Sequence, residues 1–171
     1  MYVFSLLSAL FLEVFLGGKL GYAANFIQIV GMFVVTLILY DIFWPVKRSL
    51  ALLAAAFNLV GIALEAIRLT SHGTNIAMVF HGIFCILTGW LIYKSDFLPR
   101  TLGVLIAFGG LSWLAYFSPR LESYLSPYNL ACGLIVESSL FLWLLVMNLD
   151  TQRWNEQVAR AGRLPGPLAA V

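Results

Sequence analysis

The chain has 171 residues, 61% of them hydrophobic and 11% charged, with a formal net charge of +2 and a mean hydropathy of +0.93. Soluble domains carry about 25% charged residues, so ten Lys/Arg and eight Asp/Glu cannot coat a globule of this size. A soluble domain, a disordered chain and a nucleic-acid binder with a basic face are excluded, and no nucleic-acid partner is expected.

A bilayer core about 30 Å thick takes roughly 20 apolar residues per crossing, and six segments meet that length. Residues 2–16 form the first, ending at Gly17-Gly18, and residues 24–44 the second, stopped by Pro45. Residues 49–70 and 75–93 follow, separated by His72-Gly73. The fifth starts near Pro99, which suits a first helical turn, and ends before Ser118-Pro119; the sixth covers residues 127–149. Residues 1–24 read as a span and not as a cleaved signal, because no positive charge precedes the apolar run and Glu13 interrupts it. Open strands would leave backbone groups unpaired in lipid. The expected fold is therefore all-α: an integral membrane bundle of about six transmembrane helices over residues 1–149.

Lys and Arg set the orientation. With alternating segments, Lys47, Arg48, Lys94, Arg100, Arg153, Arg160 and Arg163 share one side, against Lys19, Arg68 and Arg120 on the other. The richer side is cytoplasmic by the positive-inside rule, so both termini are expected there, in a bacterial inner membrane. Trp113, Tyr116, Phe117, Tyr124 and Tyr128 are expected at the outer interface. Residues 150–171 read either as a cytoplasmic interfacial helix, with Trp154 and Val158 four apart among arginines, or as a flexible tail.

Lipid gives helices no hydrophobic reason to associate, so small and polar stripes mark the protein-facing sides. Gly103, Ala107 and Gly110 form a small face. Ala51, Ala54, Asn58, Gly61, Glu65 and Arg68 form a stripe that is both small and polar, in which Glu65 and Arg68 are spaced to pair. A second seam runs through Thr74, His81, Cys85 and Thr88, and a third joins Gly133 to Glu137. Glu137 lies about 15 Å past Pro127, near mid-bilayer. An ionisable residue at that depth is costly unless paired, and by default raises a functional hypothesis. The candidate site is thus Glu137, Glu13, Glu65, Arg68, His81 and Asn58, lining one outward-facing polar cavity for a small ligand or for proton or solute transport. The alternative is that these groups only clamp helices together. No HExxH, GxSxG, GxxxxGK[ST] or GxGxxG element occurs in a fitting context, and Cys85 and Cys132 read as small packing residues. No catalytic residue, metal or cofactor is expected.

Several stretches carry a family resemblance: residues 45–55, 73–80, 91–105, 125–131 and 137–146. The element Phe97-Leu98-Pro99-Arg100-Thr101-Leu102-Gly103 and the run from Glu137 through Leu142-Trp143-Leu144-Leu145 are the most specific. Over most of residues 2–155 the chain resembles a bacterial multi-pass membrane family catalogued as domain of unknown function 4386. The resemblance implies a polytopic helical membrane protein with no assigned activity, and it places Glu13 and Glu137 on positions where the family pattern has Glu. His81 departs from that pattern, which usually has an aromatic there, and two outer loops are shorter. The expected function is that of a non-enzymatic membrane protein in contact with lipid and a small ligand. A structural subunit with a membrane partner or a second copy of the chain, and a membrane enzyme acting on a lipophilic substrate, are the alternatives.

Overall fold

The computed structural model describes residues 19–67, 75–146 and 150–163, with side chains placed from Phe26 onward except at Leu130 and Arg163. Among these residues the fold is all-helical. Three helices, Phe26–Ala66, Ile76–Lys94 and Arg100–Phe117, are long and apolar enough to cross a membrane. The first expected segment, residues 2–16, lies outside the described residues.

Helix α1, Lys19–Ala66, contains Pro45 and breaks at Lys47, whose φ of −160° and ψ of 98° are extended. Proline has no N–H for the helical ladder and its ring crowds the preceding turn, so the chain folds back there. Asn58 bonds Thr36, Gln28 bonds Glu65, and Met32 shares a buried cluster with Ile62. All three contacts are centred on residue 47, which makes α1 an antiparallel hairpin. Unbroken, the apolar stretch Phe26–Ala66 would measure about 60 Å; folded, each arm is about 30 Å long, the thickness of a hydrocarbon core. The second and third expected segments are the arms of this hairpin.

Helix α2, Ile76–Lys94, and helix α3, Arg100–Leu114, form the centre. The link between them folds inward: Phe97 and Leu98 are buried, and Phe97 stacks on Phe43 beside the hairpin break. A Cβ on Gly89 would meet the Gly103 carbonyl oxygen at 2.6 Å, and one on Gly82 would meet that of Gly110 at 2.8 Å. The two backbones touch because these positions lack side chains, which is how helices gain contact where lipid supplies no driving force. A short 3-10 turn, Ala115–Phe117, and helix α4, Pro119–Leu125, lead to helix α5, Tyr128–Val146. The main contacts run α1 to α2, α2 to α3 and α3 to α5.

Helix α6, Thr151–Arg163, turns 101° away from α5 and packs on α1. Trp154 donates its indole N–H to the Ile42 carbonyl at 3.1 Å, and Arg160 reaches Asp96 at 3.6 Å. Trp154, Arg153 and Arg160 thus meet the hairpin break and the α2–α3 link at one end of the molecule.

The outer faces are apolar, with Phe26, Phe33, Ile38, Leu52, Phe108 and Leu142 exposed, while Thr36, Asn58, His81, Thr88 and Glu137 are buried. This inversion of a soluble fold is what a lipid solvent requires.

Gly89→Leu should separate α2 from α3 and lower the thermal midpoint in detergent, at a cost of about 3 kcal/mol or more. Gly31→Ala, at a position with nothing within 4 Å, should be neutral or raise the midpoint slightly, since Ala is the better helix former. Paired melting curves followed by circular dichroism check both.

Candidate functional site

Five helical segments each send one polar side chain to a common point. On the first arm of α1, Thr36 donates its hydroxyl proton to the Met32 carbonyl at 2.7 Å, so its oxygen accepts from Asn58 Nδ2 on the second arm, at 2.6 Å. That orients the Asn58 amide and turns Oδ1 towards His81 Nδ1 on α2, 3.0 Å away. The oxygen only accepts, so Nδ1 carries a proton. His81 Nε2 then lies 2.8 Å from Glu137 Oε1 on α5. Trp113 of α3 donates its indole N–H to the same oxygen at 2.6 Å. One proton lies between Nε2 and Oε1: the two residues are either imidazolium and carboxylate or imidazole and carboxylic acid, and the pair is neutral in both. That neutrality permits burial, with His81 6% and Glu137 8% exposed, where a single charge would be prohibitive.

Local sequence explains the positioning. A Cβ on Gly133 would lie 2.5 Å from Trp113 Cε2, so this glycine, one turn before Glu137, makes the seat for the indole. Trp113 is 2% exposed and meets the His81 ring edge-on, with centroids 5.8 Å apart. Cys85, one turn after His81, places Sγ 3.7 Å from His81 Nε2 and 3.8 Å from Glu137 Oε1. His81, Cys85 and Glu137 therefore group three metal-ligand atoms within 4.8 Å of one another.

A cavity of about 30 Å³ adjoins the trio, walled by Val35 and Leu39 of α1, Phe84 and Thr88 of α2, Ile106 of α3, and Leu140 and Phe141 of α5. It has room for one or two waters. By depth the site is about 14 Å into α5 and about 16 Å from the break at Lys47.

Of the six expected site residues, the structure joins Asn58, His81 and Glu137 directly. Glu65 is elsewhere: it accepts from Gln28 Nε2 at 3.3 Å, about two turns beyond Asn58. Glu13 and Arg68 lie outside the described residues, and with Arg68 goes the expected Glu65–Arg68 pair. The expected outward-facing polar cavity includes Glu13 and Arg68; the void beside His81, Cys85 and Glu137 is small and walled mostly by apolar side chains. Trp113, expected at the outer interface, is instead buried as a donor to Glu137. Cys85, read as packing alone, faces the imidazole and the carboxylate. Its signal was present in the i, i+4 spacing with His81, which puts both on one helix face. Thr36 gave none, because its role depends on the hairpin.

Residues 63–147 match the family described as Domain of unknown function (DUF4386). The resemblance to DUF4386 is shown across those residues. This match is narrower than the 2–155 expected, and it contains His81, Cys85, Trp113 and Glu137 but neither Thr36 nor Asn58. A relative from Archaeoglobus fulgidus, named only "Uncharacterized protein", is 30% identical over 94 residues, covering 46% of this chain and 58% of the relative. The match thus spans little more than half of that relative's length. No solved structure matches the chain.

Trp113→Phe keeps the ring and deletes the N–H, and should cost about 1–2 kcal/mol, in the range of interhelical hydrogen bonds in membranes. Gly133→Ala should displace the same indole and change the tryptophan emission maximum. Denaturation in mixed micelles, followed by fluorescence, tests the pair.

Proposed function

We propose that this chain is a non-enzymatic polytopic membrane protein that holds a small ligand at the intramembrane His81–Glu137 site. The observation that carries the reading is the cavity of about 30 Å³ beside that pair, walled almost entirely by apolar side chains yet lined by His81, Cys85 and Glu137. Ligand sites have this composition: apolar walls for burial and a few converging polar groups for orientation. The cavity is walled by α1, α2, α3 and α5 together, so a ligand there is held by every long helix of the bundle.

For orientation we place the break at Lys47, the α2–α3 link and α6 on the cytoplasmic side of a bacterial inner membrane, with about six crossings and both termini on that side. Supporting this, Lys47, Arg48, Lys94, Arg100, Arg153 and Arg160 belong to these elements. Lys94 Nζ also lies 5.1 Å from the Trp90 ring centre, a pairing of cation and aromatic typical of an interface. The near-perpendicular turn from α5 into the polar, Trp-bearing α6 suits a helix lying along headgroups.

A second reading, that the network only clamps the bundle, is favoured by its span of five helical segments. Two substitutions separate the readings. Val35→Phe puts a ring into the cavity while removing no hydrogen-bonding group of the network, and Glu137→Gln breaks the network while keeping its shape. Native mass spectrometry of protein released from nanodiscs should show a small-molecule or ion adduct on the unmodified chain that Val35→Phe loses, with a thermal midpoint near the unmodified value. Absence of any adduct, together with strong destabilisation by Glu137→Gln alone, would leave only the clamp.

A further inference from the structure

We infer that His81, Cys85 and Glu137 form a three-ligand site for a divalent transition metal of the zinc class. The inference rests on the ligand-site reading above and names the ligand.

Geometry comes first. Zinc bonds of about 2.0–2.3 Å in a tetrahedron put donor atoms roughly 3.3–3.7 Å apart. The observed edges are 3.7 Å from Sγ to Nε2, 3.8 Å from Sγ to Oε1 and 2.8 Å from Nε2 to Oε1. One edge already has the required length, a second exceeds it by about 0.1 Å, and the third needs to open by about 0.6 Å on that estimate, a shift within reach of a carboxylate turning about its last bond. Three protein ligands leave a fourth position, and the cavity that all three residues line adjoins them.

Charge comes second. Metal binding expels the thiol proton of Cys85 and the single proton held between Nε2 and Oε1. What remains is one thiolate, one carboxylate, one neutral imidazole and a doubly charged cation, with no net charge. A neutral assembly is the form that an apolar site in lipid tolerates, and neutral imidazole with thiolate and carboxylate is a donor set for zinc or its neighbours.

The surroundings come third. Ligating histidines donate their other ring N–H to a fixed acceptor, and ligating carboxylates are themselves hydrogen-bonded. Here Asn58 Oδ1 accepts from His81 Nδ1, and Trp113 Nε1 donates to Glu137. Asn58 is in turn fixed by Thr36. Nε2 is thereby presented towards the cavity with its ring orientation set from behind.

The full chain in nanodiscs, stripped with chelator and titrated with Co²⁺, tests the assignment. The expected result is a thiolate-to-cobalt charge-transfer band with intense four-coordinate d–d absorption, saturating at one equivalent and bleached by Zn²⁺. Cys85→Ser should abolish the charge-transfer band, while Cys132→Ser, which alters the other thiol, should leave it unchanged. No band on the unmodified chain, or a band that survives Cys85→Ser and disappears in Cys132→Ser, would overturn the proposal. If no band forms but a non-metal adduct sensitive to Val35→Phe is present, the metal assignment alone falls. If neither appears, the ligand-site reading falls with it.

Discussion

A carboxylate and an imidazole held 2.8 Å apart, in a fold whose outside is hydrocarbon-like, set the terms for the rest of this structure. An apolar surround replaces neither group's partner if the contact opens, so each helix carrying a member of the network is constrained in depth and rotation by the others. α2 fixes the depth of His81, and α5 must bring Glu137 to it. α3 must then approach both closely enough for Trp113 to reach the same oxygen. The glycines make that approach affordable in space: α2 and α3 touch through Gly82, Gly89, Gly103 and Gly110, and the Trp113 indole lies against Gly133. Removing side chains at those positions is what lets large and polar ones occupy the centre.

The hairpin in α1 supplies the other half of the constraint. Pro45 and the extended Lys47 fold a stretch long enough for two crossings so that Thr36 and Asn58 meet at the same height. Their bonds relay orientation from the Met32 carbonyl to the imidazole through three polar atoms. A hydrogen-bond chain of this kind is directional: reversing the Asn58 amide would place N–H against N–H at His81 and leave Thr36 with two acceptors opposed. The tautomer of His81 is therefore decided outside its own helix.

Much of the fold was legible in the residues. Apolar runs of bilayer length, closed by Pro45 and Ser118-Pro119, marked helix limits because the punctuation is local chemistry. The small face at Gly103 and Gly110 and the polar stripe through Asn58 could likewise be read from helical spacing. What could not be read was which stripes meet. Glu65 and Asn58 share a face, yet Asn58 joins His81 whereas Glu65 stays with Gln28, a distinction set by depth and by the register of the hairpin. Trp113 looked interfacial because aromatic residues cluster near it in sequence. Only the glycine on the facing helix, 20 positions later, turns it inward.

The chemical composition of the network bears on its purpose. A clamp needs hydrogen bonds in a dry place, and hydroxyl and amide side chains make them without bringing ionisable groups into lipid, as Thr36 and Asn58 already do here. An imidazole, a thiol and a carboxylate are each costlier to bury than those neutral groups, and they differ in softness in the way that a borderline metal's ligands do. They also lie together on one side of the network, against the cavity, while Asn58 and Trp113 approach His81 and Glu137 from behind. An arrangement made only for cohesion has no reason to separate its reactive atoms from its supporting ones or to leave a void beside the reactive set. Both features follow directly if the center is built to receive something.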